Sequence, residues 1–168
     1  GVVTIGLESG TDNNPDFKDA TIKFSMGIDN VLPFGEADPN GNGGNDVLNG
    51  GEGDDKVLGM AGNDLLSGGN GQDRLWGNTG NDTLSGDGGD DWLSGGIGND
   101  VIKGGQGQDK LLGQTGNDNL NGEDGDDYVS GDDGDDTMAG GNNNDTLYGG
   151  KGSDKLAGDA GDDKLYGD

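Results

Sequence analysis

From Gly41 to Tyr166 the sequence can be cut every nine residues without an insertion, giving 14 units that begin GNGGNDVLN, GGEGDDKVL, GMAGNDLLS and GGNGQDRLW. Position one is Gly in all 14 units, and position four is Gly in 13, with Asn143 as the exception. Position six is Asp throughout: Asp46, Asp55, Asp64, Asp73, Asp82, Asp91, Asp100, Asp109, Asp118, Asp127, Asp136, Asp145, Asp154 and Asp163. Position eight is always aliphatic, from Leu48 and Val57 through Ile102 and Met138 to Leu165. A fixed period of this length marks a solenoid, in which each unit buries its apolar side chain against stacked neighbours.

The residue types at each position suggest how the chain turns. Gly at positions one and four permits positive φ, so the backbone can reverse tightly with its carbonyls turned to one side. Asn143 also tolerates the left-handed region. A three-residue strand then puts position eight on one face and positions seven and nine on the other. One aliphatic per nine residues suits a thin core between two facing sheets, with two units in each 18-residue turn. Fourteen units make seven turns, roughly 34 Å at ~4.8 Å per turn.

Composition alone points elsewhere. Gly accounts for 41 of 168 residues, hydrophobic residues for 26%, and the net charge is −25, with 30 of the 34 acids being Asp. Such numbers describe an unfolded polyanion, but a disordered linker does not hold its Asp and aliphatic residues in strict register. There is no Cys and no His, which removes disulfides, thiolate or imidazole metal ligands and the usual general base. No apolar run reaches the ~18 residues of a membrane span. The charge argues against nucleic acid or an anionic membrane as partner. The sequence starts at Gly1 rather than Met and opens on no signal peptide, which suggests a processed product or a fragment.

The consensus Gly-Gly-x-Gly-x-Asp-x-aliphatic-x resembles the RTX (repeats-in-toxin) family over residues 41–166. The resemblance implies an all-β fold: a right-handed parallel β-roll, with six residues of each unit forming a calcium-binding turn and three a short strand. It also implies a bacterial parent protein exported by type I secretion, hence a secreted or cell-surface location.

The need for a metal follows from the residues as well. One aliphatic per unit is little apolar burial to set against ordering 126 residues, 33 of them Gly at positions one, two and four. Repulsion among the carboxylates adds to the deficit. All-oxygen ligands on flexible loops suit Ca²⁺ better than Mg²⁺, which demands tight octahedral geometry. Loops 18 residues apart stack, so Asp46, Asp64, Asp82, Asp100, Asp118, Asp136 and Asp154 line one edge. Asp55, Asp73, Asp91, Asp109, Asp127, Asp145 and Asp163 line the other. Six gaps per edge give room for up to 12 interior Ca²⁺ ions, whose charge of +24 would nearly cancel the −25 of the chain. Acids outside position six, such as Asp87, Asp132 and Asp133, read as solvated loop charges. Position five reads as loop geometry rather than ligation.

Residues 1–40 form a separate N-terminal segment, expected as a short β cap on a roll spanning 41–168. Val2, Val3 and Ile5 suggest one strand, and the alternation Ala20, Ile22, Phe24, Met26 another. Asp12-x-Asn14-x-Asp16 opens like an EF-hand loop but fails where Phe17 replaces Gly and Lys23 replaces Glu. The sequence offers no zinc-protease motif, no triad and no phosphate loop, so no enzyme is expected.

The expected function is a calcium-binding extracellular module. It would fold on binding calcium after secretion, as a stabilising or adhesive part of a larger secreted protein. The alternative is a cell-surface layer or filament subunit that assembles with itself, or with other surface components, through its open end. Ice binding is a minor alternative, raised by the row Asn45, Asn63, Asn81, Asn99 and Asn117 and weakened by the absence of a regular Thr–Asn array. The outer face carrying Lys56, Arg74, Trp76, Trp92 and Lys110 is expected to be stabilised by Arg74 and Lys110 stacking beside Trp92.

Overall fold

The computed structural model describes residues 21–23 and 44–167. Those residues hold fifteen strands and no helix. In chain order they are β1 (Thr21–Lys23), β2 (Val47–Glu52), β3 (Lys56–Ala61), β4 (Leu65–Asn70), β5 (Arg74–Thr79), β6 (Thr83–Gly88), β7 (Trp92–Ile97) and β8 (Val101–Gln106). There follow β9 (Lys110–Thr115), β10 (Asn119–Asp124), β11 (Tyr128–Asp133), β12 (Thr137–Asn142), β13 (Thr146–Lys151), β14 (Lys155–Ala160) and β15 (Lys164–Tyr166).

Successive strands alternate between two parallel sheets. One sheet runs β1-β2-β4-β6-β8-β10-β12-β14 and the other β15-β13-β11-β9-β7-β5-β3. Every repeat strand pairs in an 18-residue register, Leu48 with Leu66 and Val57 with Leu75, so two units make one turn of a β-solenoid. The turns stack in the same register, for example Gly53 N–H donating to the Asn70 carbonyl at 2.7 Å and Leu65 N–H to that of Asp46 at 2.8 Å.

The strands are longer than the sequence suggests. Each complete one runs six residues, from position seven to position three of the next unit, leaving a three-residue turn. The ladder pairs positions seven to nine, skips position one, and resumes at two and three. Positions two and three carry no hydrophobic alternation, which is why they read as loop.

The left-handed backbone also sits elsewhere than expected. Positive φ falls at positions two and four, whereas position-one glycines do not adopt it. Seven non-glycine residues at position two, from Met60 to Asp159, take φ between 64° and 79°, and Asn143 takes 82° at position four.

Along each strand the inward positions are eight and one. Position eight supplies the core, two files, one on each sheet, that are buried from Leu48 to Leu147, while Leu156 is partly buried and Leu165 is exposed at the last turn described. Position one is Gly because its side-chain space is already taken. A Cβ on Gly50 would lie 2.6 Å from the Gly68 carbonyl oxygen and 2.7 Å from Asp55 Oδ2. Position-one glycine is therefore a spatial requirement, and the carboxylate that fills the space belongs to its own unit.

Strand β1 pairs in parallel with β2, matching Thr21 to Val47. It falls within the expected alternation from Ala20 to Met26; the other expected features of residues 1–40 lie outside the described residues.

On the outer face of the β3-to-β15 sheet, Trp76 packs on Trp92 at 5.1 Å, and Tyr128, Tyr148 and Tyr166 follow one another at 5.4 and 4.6 Å between ring centroids. Lys110 sits 5.2 Å from the Tyr128 ring centre. Arg74 and Lys110 are the register neighbours of Trp92 on either side, as expected, but among the described residues no cation lies over its ring. Tyr148 and Tyr166 are stacked, with 9° between their planes, and the other two pairs are tilted; such contacts stabilise adjacent turns.

Candidate metal centre

Each position-six Asp follows a left-handed position-four residue and directly precedes a strand, and this places its carboxylate inside the roll beside position-one Gly. The two columns form as the sequence suggests, one on each edge. Down each column the carboxylate bridges turns: Asp46 N–H donates to Asp64 Oδ1 at 2.9 Å, Asp55 N–H to Asp73 Oδ1 at 2.8 Å, and Asp82 N–H to Asp100 Oδ1 at 2.8 Å. The pattern repeats across all twelve gaps, at 2.7–3.0 Å.

The second oxygen has no such use. Asp64, Asp73, Asp82, Asp91, Asp100, Asp109, Asp118, Asp127, Asp136 and Asp145 are buried, and the Oδ2 of each has no hydrogen-bond partner in the protein. The half-buried Asp154 is in the same position. Asp46 and Asp163, on the first and last turns described, are also half-buried. An unpaired buried carboxylate oxygen is costly, and its repetition down both edges is a feature of the architecture.

Burial pushes these carboxyls above the ordinary 3.8, to about 6 in Asp64, Asp73, Asp100 and Asp109. In Asp91, Asp118 and Asp127 it pushes them to about 7. The backbone N–H that each accepts pulls the value down, and the neighbouring carboxylates of the column raise it again. Asp46, Asp82, Asp136 and Asp145 are raised as well, by burial first.

The surroundings of Oδ2 decide what could satisfy it. Around Gly50 a carboxylate oxygen and the carbonyl of Gly68, one turn on, approach the same point. The same two oxygens flank Gly77, Gly86, Gly104, Gly113, Gly122 and Gly131. Both are acceptors, and a pair of acceptors at one point calls for a cation. The donor set is oxygen only, part anionic and part carbonyl, which fits a hard divalent ion and Ca²⁺ in particular. Among the described residues no three carboxylates gather into one cluster. A cation here would draw its carboxylates from the loops bounding a gap and the rest of its shell from backbone carbonyls.

Position five does specific work that its mixed composition hides. Asn63 N–H donates to Asn45 Oδ1 at 2.8 Å, Asn81 to Asn63 at 2.8 Å, and Asn117 to Asn99 at 2.7 Å. These bonds point up the chain, opposite to those at position six, so each gap of this edge is laced both ways. The Asn row thus spends its side-chain carbonyls on backbone amides. Outside position six the acids are partnered rather than merely solvated: Asp87 accepts from Ser67 and Ser85, Asp132 from Ser130, and Asp133 pairs with Lys151.

A family model described as the RTX calcium-binding nonapeptide repeat (4 copies) matches overlapping segments at 40–75, 67–102, 76–111, 103–138, 112–147 and 139–168. These matches cover residues 40–168 without a break. No curated protein matches the chain.

Proposed function

The chain belongs to the family of RTX calcium-binding nonapeptide repeats, and from that premise we propose that it is an extracellular module whose folding is driven by calcium. The observation that supports this most directly is the repeated inward Oδ2 of position-six Asp, buried without a partner beside a backbone carbonyl. The position-six carboxylates and the carbonyls of position-one glycines one turn on would hold the ions. Bound calcium supplies the positive charge that offsets buried carboxylates and gives each orphaned oxygen a partner. A ligand bound only by the folded state stabilises it through linkage. An exported chain that meets calcium only outside the cell would fold there, as a stabilising or adhesive part of a larger protein.

A roll of this family is a non-catalytic type of domain, and the orphaned carboxylate oxygens lie beside backbone carbonyls rather than beside an acid–base partner. The test is far-ultraviolet circular dichroism of metal-free protein at neutral pH, titrated with calcium. The metal-free spectrum is expected to be that of a disordered chain and to become β-type at millimolar calcium. A full β spectrum in chelator at neutral pH would overturn the proposal.

A further inference from the structure

The two edges carry the same ladder of position-six Asp but differ in their other charges; directly after that Asp the Asp55 edge carries Lys56, Arg74, Lys110 and Lys164, and the Asp46 edge carries Lys155, with Lys151 in the same loop. On the Asp46 edge position five is Asn45, Asn63, Asn81, Asn99 and Asn117, followed by Asp135 and Ser153. On the Asp55 edge it alternates: Asp54, Asp90, Asp126 and Asp162 are separated by Gln72, Gln108 and Asn144. The acidic loops of that edge also hold Glu52, Asp87, Glu123, Asp124 and Asp159, while the loops between them hold no acid outside position six. Nine additional carboxylates thus line one edge against three on the other, all three in the loop of Asp135. Asp133, one of the three, is paired with Lys151, and Glu123 on the richer edge pairs with Lys103 at 3.6 Å.

The alternation has a geometric result. Each of the six gaps on the Asp55 edge lies between one acid-rich loop and one amide loop, so every gap is flanked by two or three of the additional carboxylates. Like charges in the position-five column stand two turns apart, ~9.6 Å at ~4.8 Å per turn. The bonding differs too. On the Asp46 edge every gap has its position-five bond, through to Ser153 N–H on Asp135 Oδ1 at 2.8 Å. On the Asp55 edge the carboxylates of Asp54, Asp90 and Asp126 accept from the next turn at 2.9 Å, but among the described residues Gln72 and Gln108 accept nothing.

We propose that the two edges are two classes of calcium site, with the Asp55 edge filling first and depending on salt, and the Asp46 edge filling later and largely insensitive to salt. The inference rests on the calcium-module reading and adds to it an order of filling. Affinity for calcium rises with the charge around a site, and the additional carboxylates act on every gap of the Asp55 edge, whereas the missing position-five bond concerns only two of them. Because these carboxylates are largely exposed, their effect is Coulombic at a distance and is screened by salt. The edges are ~20 Å apart across a six-residue strand, more than twice the Debye length of about 8 Å at physiological ionic strength. Each edge therefore responds mainly to its own charges.

Hydrogen exchange of the turn amides, followed at increasing free calcium on the whole chain, reads the two edges separately. In about 20 mM salt, amides of the Asp55 edge are expected to gain protection at roughly tenfold lower calcium than those of the Asp46 edge. In about 500 mM salt the two midpoints converge. The variant Asp54→Asn, Asp90→Asn, Asp126→Asn keeps an acceptor that Asn63 shows to be adequate. At about 150 mM salt, where the edges stand more than two Debye lengths apart, it should move only the Asp55 edge, to several-fold higher calcium. The opposite variant, Asn63→Asp with Asn99→Asp, should move only the Asp46 edge, to lower calcium. A common midpoint for both edges at low salt, or variants that shift both edges equally, would overturn the inference and leave the calcium module intact. An absence of calcium-dependent protection on either edge would instead bring down that reading, and the inference with it.

Discussion

Two residues per unit carry most of the design, and both act through one small volume inside the roll. The Asp at position six folds its carboxylate inward, and the Gly at position one leaves room for it. Gly95→Ala would drive a Cβ into Asp100 Oδ2 and should cost about 1–3 kcal/mol by overpacking. Gly96→Asn should also be destabilising, by about 1–3 kcal/mol, because a Cβ there would run into the Asn78 carbonyl oxygen and Gly96 sits at φ 118°, well beyond the 73° that Asn78 adopts one turn earlier. Thermal unfolding of the calcium-loaded variants measures both. Asp100→Ala should weaken calcium binding strongly, since Asp100 is buried and bridges from Asp82, whereas Asp132→Ala removes an exposed carboxylate held by Ser130 and should be nearly silent. Equal losses of calcium affinity would mean that bulk charge rather than register holds the ions. The invariant Asp was legible in the sequence. The reason for its companion Gly was not, because a sequence cannot distinguish a glycine needed for its φ from one needed for its empty space. The position-five ladder was hidden as well, since Asn, Asp and Gln look mixed until the units are separated by edge.

At the scale of the strand, the core takes one aliphatic side chain from each strand. Leu93 is fully buried between neighbouring turns, and Leu93→Ala should cost about 2–5 kcal/mol. Leu156 is only partly buried, and the same change there should cost visibly less in a denaturant melt. Equal losses would indicate that the last turns are as well buried as the middle of the roll. Two facing sheets and the 18-residue register were readable from the nine-residue period, and parallel pairing from the family resemblance that the consensus carries. Strand length was not. Positions one to three carry Gly and outward polar residues, so hydrophobicity does not mark them as strand, yet the stacking of identical turns completes their ladder.

For the whole molecule, the balance between protons and calcium decides the state. The buried Asp carboxyls of the metal-free roll titrate above 3.8, as high as about 7 in Asp91, Asp118 and Asp127. In that window the folded chain binds more protons than the unfolded one, so metal-free stability falls as pH rises. Acidifying metal-free protein from pH 8 to pH 5 should therefore increase its β-type signal. With calcium the dependence reverses, because protons compete for the same oxygens and more calcium is needed at pH 5. A metal-free roll that grows steadily more stable toward pH 8 would contradict this account. The net charge of −25 works in the same direction, since repulsion is relieved by protons or by divalent ions.

The unbroken 18-residue register has a mechanical consequence. Because each turn touches only the turns beside it, the outermost turns are held by a ladder on one side only and would peel first under tension, while interior turns are held on both. The molecule would yield like a coil paid out from its ends, in equal steps of roughly 60 Å of chain per turn. Each step would break the position-five and position-six bonds of its gaps together with any ion seated there. If calcium fills the gaps as proposed, the force needed for each step would rise with the calcium concentration around the roll.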